Sequence, residues 1–235
     1  MFDGTLASPV RGTRMPHFDD AQGKLERGTM TLKIYGVPRS RATRTLWMAH
    51  ELGISFELIE VPPGAEGSRK PEYVRLNPNG QVPFIDDHGL ILWESMAINL
   101  YLAKKHGAPI GPANLAEDGQ MTMWGFWTVN EIEPHASTVL YNTAERPEAE
   151  RSSAALTTAL NALNTPLMVL EKKLQEGSGY LVGRRFTVTD LNAISCLFYL
   201  RFAPQALADK PAIRAWYDEG MARPANRAAF ALRGD

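Results

Sequence analysis

The sequence predicts a protein of two domains, an α/β domain with a mixed four-stranded sheet followed by an all-helical domain. Three observations carry this prediction. A strand, a helix and a second strand follow one another near residue 30, two further strands form a hairpin before another helix, and apolar residues recur at helical spacing over most of the rest. We assign residues 30–106 to the α/β domain, 107–114 to a linker containing two glycines and two prolines, and 115–235 to the helical domain.

The α/β domain begins with a βαβ unit. Alternating apolar residues over 31–35 predict a strand that ends at Gly36. Residues 42–52 carry apolar side chains at helical spacing, and Gly53 is a suitable C-terminal stop. The apolar and β-branched run 56–61 predicts a second strand, which pairs parallel to the first because a helix connects them.

A β-hairpin and a helix complete this domain. The apolar runs 82–85 and 90–93 predict two strands, and Gly89 in the connecting segment 86–89 supplies the positive φ that a hairpin turn requires. Antiparallel strands therefore close the sheet. The helix that follows begins at Glu94 and Ser95, and basic residues lie at its C-terminal end, as the helix dipole favours.

Four helices are predicted in the second domain, with Pro134 and Pro166 expected to kink or split the first two. Their ranges are 117–139, 148–175, 189–202 and 211–222. Thr187 and Asp190 have the spacing of a capping box at the start of the third, and we assign them a structural role.

Composition excludes several classes of protein. The 235 residues contain 25 basic and 26 acidic side chains, a net charge of −1, which argues against a nucleic-acid-binding protein. The single cysteine, Cys196, excludes an internal disulfide, a CxxC redox pair and zinc sites of several cysteines, and it favours a reducing, cytoplasmic setting. The histidines lack metal-ligand spacing, so we expect no metal.

The sequence also lacks targeting and membrane signals. No apolar stretch reaches the length of about 18 residues that a transmembrane helix needs, so no membrane association is expected. Residues 1–29 mix charges with Gly and Pro and lack the apolar block of a signal peptide, so we interpret them as a disordered leader, with Met30 directly before the first strand.

The strongest local motif runs from Asn77 to Pro83 and is followed by Glu94 and Ser95. A proline at a strand entrance suggests a cis bond that turns the main chain of Val82 outward, where it can pair with an extended peptide. Ser95 at a helix N-terminus favours a bound anion, and Glu94 offers an acceptor for an ammonium group. The ligand that fits contains a peptide bond, a carboxylate and an amine.

Four segments resemble the successive signatures of the cytosolic glutathione S-transferases: LKIYGVPRSRATRTLWMAHELGI, LNPNGQVPFI, WESMAINLYL and YLVGRRFTVTDLNAI. The resemblance extends over about residues 30–235. It implies a thioredoxin-like N-terminal domain, an all-helical C-terminal domain and a homodimer. Glutathione, γ-Glu-Cys-Gly, has the chemistry that the motif residues suit.

The resemblance also implies the roles of individual residues. Val82 pairs its main chain with the cysteinyl part of glutathione, Pro83 is the cis proline, and Glu94 and Ser95 hold the γ-glutamyl group. Arg69, with Gln81 beside it, is the candidate for the glycine carboxylate, although Lys70 is also available.

The catalytic position is the turn after the first strand, where YGVPRS places Ser40 as in serine-type members resembling the theta and phi classes. A hydroxyl there stabilises the glutathione thiolate by a charge-assisted hydrogen bond. Arg41 and Arg44 compete with Ser40 for this role. Because Ala42 and no cysteine lies nearby, thiol transferase and dehydroascorbate reductase activities are not expected.

Each assignment has a structural alternative. A serine in a strand-to-helix loop, taken alone, is more often an N-cap than a catalyst. Trp127, Tyr141 and Phe198 are candidates for the walls of a second-substrate pocket, yet aromatic residues at helical spacing usually belong to the core.

The sequence thus predicts a glutathione transferase that activates the thiol for attack on an electrophilic, mostly apolar substrate, with glutathione as a substrate and no further cofactor. Isomerases, dehalogenases, peroxidases and ether-cleaving enzymes share the same site in this superfamily and remain alternatives. A glutathione-binding or protein-binding module without turnover is the alternative of a different class.

Overall fold

The computed structural model describes residues 31–234, and the leader expected at residues 1–29 lies outside this range. Residues 31–234 fall within one unit of the chain. The elements of the first domain are β1 (Leu32–Tyr35), α1 (Ala42–Leu52), β2 (Phe56–Ile59), α2 (Pro71–Val74), β3 (Phe84–Asp87), β4 (Leu90–Trp93) and α3 (Ser95–His106). Those of the second are α4 (Leu115–Trp127), α5 (Glu133–Leu140), α6 (Ser153–Glu176), α7 (Val188–Leu197), α8 (Pro211–Met221) and α9 (Pro224–Ala231).

The four strands form one sheet in the order β2-β1-β3-β4. β1 pairs parallel with β2 and antiparallel with β3, and β3 pairs antiparallel with β4, which confirms the mixed sheet of a thioredoxin-like domain. Ile34 of β1 lies opposite Leu58 and Ile85, and both isoleucines are fully buried. The period-2 alternation of β1 therefore directs its apolar residues into the core.

The hairpin is tighter than expected. Asp86 and Asp87 belong to β3, so the turn consists of His88 and Gly89 alone, both with positive φ (58° and 91°). A two-residue turn of this kind matches the twist of the flanking strands. β3 also starts at Phe84 rather than at residue 82, because Pro83 has no N–H to donate to the strand pairing.

The two prolines of the helical domain behave differently. The helix expected over 117–139 is divided by a π-helical turn, Thr128–Ile132, just before Pro134 in the first turn of α5. Pro166, in contrast, lies inside α6, a continuous helix of 24 residues, so the expected split there is wrong. A further π-helical turn, Tyr141–Glu145, follows α5.

One hydrophobic core extends through both domains. It contains Ile34, Leu46 and Trp47 from the first domain together with Leu191 and Trp216 from the second. The rings of Trp47 and Phe186 lie 6.1 Å apart. α9, which the sequence analysis did not predict, packs against α1. No helix within residues 31–234 is long and apolar enough to cross a membrane.

Candidate functional site

Ser40 lies in the turn between β1 and α1 and lines a cavity of about 570 Å³. Its hydroxyl donates to the carbonyl of Val37 (2.7 Å) and accepts from the N–H of Ala42 (3.1 Å). A serine hydroxyl has one proton, so Ser40 must turn away from Val37 to donate to a thiolate. The N–H groups at the start of α1 favour an anion at the same place.

Gly36 allows this turn to lie close to the neighbouring loop. It has a φ of +149°, and a Cβ added there would lie 2.7 Å from the Cβ of Ala42 and 3.4 Å from that of Val82. Any side chain would therefore push the start of α1 away from Val82. The glycine keeps Ser40 and Val82 on one wall of the cavity.

The loop before β3 is held by a buried asparagine. The side-chain amide of Asn77 donates to the carbonyl of Gln81 (2.8 Å), and its oxygen accepts from the N–H of Asn79 (3.1 Å). The Val82–Pro83 peptide bond is cis. Within residues 31–234, the main-chain N–H and C=O of Val82 make no hydrogen bond, so both are available to a bound peptide.

Arg69 is placed on the same cavity by its buried neighbour Ser68. The Ser68 hydroxyl donates to the carbonyl of Gly80 (2.7 Å) and accepts from the N–H of Gly64 (3.1 Å), which joins the two loops. Arg69 lines the cavity beside Gln81, whereas Lys70 does not line it. The geometry therefore favours Arg69 over Lys70 as the cation that meets a ligand carboxylate.

Glu94 and Ser95 lie at the start of α3, on an adjoining cavity of about 500 Å³. Glu94 has a φ of 72°, a conformation that costs a non-glycine residue energy and is concentrated at ligand sites. Ser95 is buried and presents the N-terminus of a helix of 12 residues. Gln81, Val82 and Pro83 line this cavity as well, so five of the residues that the sequence predicts at the glutathione site lie together on it.

Arg41 and Arg44 line both cavities and share the carboxylate of Glu133 of α5. The Nη2 of Arg44 and the Nε of Arg41 lie 2.9 and 2.8 Å from the same carboxylate oxygen. Arg44 also donates to Tyr199 (3.0 Å) and, over 3.4 Å, to the Ser95 hydroxyl. Burial alone would raise the pKa of Glu133, but the two arginines lower it, chiefly Arg44.

This ion-pair cluster bears on the alternatives to Ser40. Arg41 and Arg44 both line the cavities, yet each already donates a hydrogen bond to Glu133. The Ser40 hydroxyl, in contrast, makes hydrogen bonds only within its own turn. Glu133 and Tyr199 were not singled out from the sequence. No motif marks them, because they lie 89 and 155 residues from the arginine they contact.

The aromatic candidates for the second-substrate pocket separate into two groups. Tyr141 and Phe198 line the same cavity as Ser40. Trp127 lines neither cavity and packs instead edge-on against Trp124, with ring centroids 4.9 Å apart. Phe230 of α9 adds a wall that the sequence analysis missed, although Pro224 at the start of that helix was a usable signal.

Cys196 is buried in α7, and burial raises the pKa of its thiol to about 12. It therefore stays protonated and inert at neutral pH. Within the described part of the chain, no group of three or more His, Cys, Asp or Glu side chains could hold a metal ion.

Comparison with known proteins gives the family. The models of the glutathione S-transferase N-terminal and C-terminal domains match residues 30–104 and 132–224. The chain therefore belongs to the glutathione S-transferase family.

Relatives and solved structures match over nearly their whole length. Glutathione S-transferase 1 of Triticum aestivum is 31% identical over 209 residues, covering 83% of this chain and 91% of that protein. Glutathione S-transferase 3 of Zea mays is 32% identical over 203 residues, covering 83% and 90%. The theta class glutathione S-transferase of Xanthomonas axonopodis pv. citri, solved with glutathione bound, is 31% identical with a TM-score of 0.75, covering 85% and 97%.

Proposed function

We propose that this protein is a glutathione transferase that activates the glutathione thiol as a thiolate for attack on an electrophilic, hydrophobic second substrate. The observation that carries the proposal is the continuity of the two cavities. Ser40 lies on one, Glu94 and Ser95 lie on the other, and Val82, with its free main-chain groups, lines both. An extended tripeptide across this wall would bring its sulfur toward Ser40 and its γ-glutamyl end toward α3.

The chemistry assigned to Ser40 is stabilisation of the thiolate. The thiol of glutathione releases its proton to solvent, and the Ser40 hydroxyl donates a hydrogen bond to the sulfur in place of the Val37 carbonyl. The sulfur then forms a bond to the electrophilic carbon of the second substrate, and the leaving group departs with the electron pair of the bond that breaks. Glutathione is consumed as a substrate, and we propose no further cofactor.

Replacing Ser40 by alanine tests this assignment. We expect kcat/KM for glutathione and a chlorodinitrobenzene to fall about 100-fold, the cost of removing one donor to a developing anion. The pKa of bound glutathione, measured by ultraviolet difference spectra of the thiolate, should rise. Ser178→Ala, a loop serine that lines neither cavity, is the matched control.

Two outcomes would contradict parts of this proposal. A fully active Ser40→Ala variant would exclude Ser40 and leave Arg41 and Arg44 as the candidates for stabilising the thiolate. If the wild-type protein binds glutathione in calorimetry but conjugates no member of a panel of electrophiles, the binding-module alternative gains. With turnover, a role in detoxification of electrophiles follows, in the reducing cytoplasm that the lone buried cysteine favours.

We also propose a homodimer. Met123 and Phe126 lie three residues apart on one face of α4 and are 55% and 66% exposed, and Trp93 at the end of β4 is 41% exposed. Large apolar side chains exposed in this way mark interaction surfaces. Sedimentation equilibrium should give about twice the chain mass of 26.0 kDa, and Phe126→Glu should weaken the association, whereas a monomeric wild-type protein would contradict the proposal.

A further inference from the structure

The helical domain contributes one part of the wall of the cavity that contains Ser40, and this part combines aromatic rings with arginine. Phe198 and Phe230 pack edge to face with centroids 4.9 Å apart. The guanidinium carbon of Arg201 lies 3.8 Å from the centroid of Phe198 and 4.2 Å from that of Phe202. Arg201 is therefore held between two rings, which limits its conformational freedom.

Most N–H donors of the Arg201 guanidinium make no hydrogen bond to residues 31–234. Its Nη1 donates to the carbonyl of Phe198 (2.9 Å), the one hydrogen bond it makes to residues 31–234. Within the same residues, no carboxylate lies within 4.0 Å of its guanidinium nitrogens. A guanidinium has five N–H donors in a planar arrangement, so the donors that Arg201 does not use can form hydrogen bonds to a bound anion.

A second arginine, Arg233, lines the same cavity. Arg233 lies 5.6 Å from the centroid of Phe198 and contacts the carbonyl of Pro38 in the turn that carries Ser40 (3.4 Å). Arg201 and Arg233 both line this cavity, and burial together with the nearby charge of Arg233 lowers the pKa of Arg201. Glu145 is the one acidic side chain among the described residues that line this cavity, and it makes no ion pair with Arg201.

We infer that this cavity selects second substrates that carry an anionic group, with Arg201 holding the anion while Phe198 and Phe230 contact the apolar body. A carboxylate matches the planar guanidinium best. The inference rests on the proposed transferase function and narrows its substrate class. Arg201 is a specificity residue here and has no part in activating the thiol.

A pair of electrophiles that differ in charge tests the inference. A chlorodinitrobenzoate and its methyl ester share the leaving group and the ring, and in both the glutathione sulfur replaces chloride. After correction for the uncatalysed rates, we expect the wild-type protein to prefer the acid. Arg201→Gln should lower the acid-to-ester ratio of kcat/KM about tenfold or more, the value of a hydrogen bond to a charged group.

Three further variants sharpen the test. Arg201→Lys should keep part of the preference, because the charge remains and the fork is lost. Glu145→Gln should increase the preference for the acid, because it removes the opposing negative charge. Arg214→Gln, an exposed arginine of α8 outside the cavity, should leave both rates unchanged, and circular dichroism melting shows whether each variant is folded.

The outcomes separate the two proposals. An unchanged acid-to-ester ratio in Arg201→Gln, or a raised KM for glutathione in its place, overturns the inference while the transferase function stands. If neither electrophile is conjugated, the transferase proposal fails, and calorimetry with dinitrobenzoate, which lacks the leaving group, still decides the role of Arg201. Equal affinity of wild type and Arg201→Gln for that anion would overturn it.

Discussion

The contribution of Asp190 to stability is larger than its sequence motif indicates, because the fold adds hydrogen bonds that the motif does not predict. The spacing of Thr187 and Asp190 predicts a capping box, and both of its reciprocal contacts are present. The Asp190 carboxylate, however, accepts more hydrogen bonds than a helix cap requires. The N–H of Leu181 and the indole N–H of Trp216 meet Oδ1 at 3.0 and 2.9 Å, and the N–H and hydroxyl of Thr187 meet Oδ2.

Asp190→Ala should therefore cost more than the loss of a helix cap, which is about 1 kcal/mol. We expect at least about 3 kcal/mol of unfolding free energy, because several buried donors lose their acceptor. Urea denaturation measures the change, and Asp218→Ala on the exposed face of α8 is the control. A loss of only about 1 kcal/mol would mean that Asp190 stabilises the protein through the helix cap alone, and would contradict this prediction.

At the scale of elements, the catalytic turn depends on how closely β1, α1 and the loop before β3 approach one another. Gly36 is the contact point, because its missing side chain leaves room for Ala42 and Val82. The sequence marks Gly36 as a strand terminator. Its role in packing is visible only when three segments of the chain are brought together.

Gly36→Ala should destabilise the protein by about 2 kcal/mol, since the added methyl group overpacks the turn at an unfavourable φ. It should also weaken glutathione binding, because Ser40 and Val82 are pushed apart. Calorimetric affinity and thermal melting report the two effects. Gly119→Ala in α4, where a Cβ meets open space, should stabilise instead; equal effects of the two substitutions would refute the packing argument.

At the scale of the whole molecule, polar contacts and a shared core join the two domains. Glu133 reaches from α5 to Arg41 and Arg44 of α1, and the Asn99 amide of α3 donates to the Asn192 side chain of α7 (2.8 Å). Residues of both domains line the cavities of the candidate site. We therefore expect the two domains to unfold in a single transition.

Glu133→Gln should lower the unfolding free energy by about 3 kcal/mol at neutral pH, because Arg44 would stay buried without its counter-ion. The folded-state pKa of Glu133 is lowered, so the stabilisation is present above its unfolded value of about 4.3. It is lost as pH falls through the lower folded value.

Urea titrations of wild type and Glu133→Gln between neutral and acid pH measure this dependence, with exposed Glu148→Gln as the control. A difference between the two proteins that stays constant into acid, or two separate unfolding transitions, would contradict the coupling of the domains through Glu133.

The sequence by itself determined the four strands, the two-domain fold and the family, and it predicts the residues that would face glutathione, because alternation, turn residues and the NPNGQVP and ES motifs are local patterns. Only the tertiary structure decided that Arg69 rather than Lys70 lines the cavity, that Trp127 lies outside it and that Phe230 of α9 contributes to its wall. It alone also brought Glu133 to Arg44 and placed Arg201 between two rings. Glu133 and Arg44 lie 89 residues apart in the chain, so no local spacing encodes their contact. Arg201 is a sequence neighbour of Phe198 and Phe202, but only the fold places Arg201 and Phe198 on the cavity of Ser40.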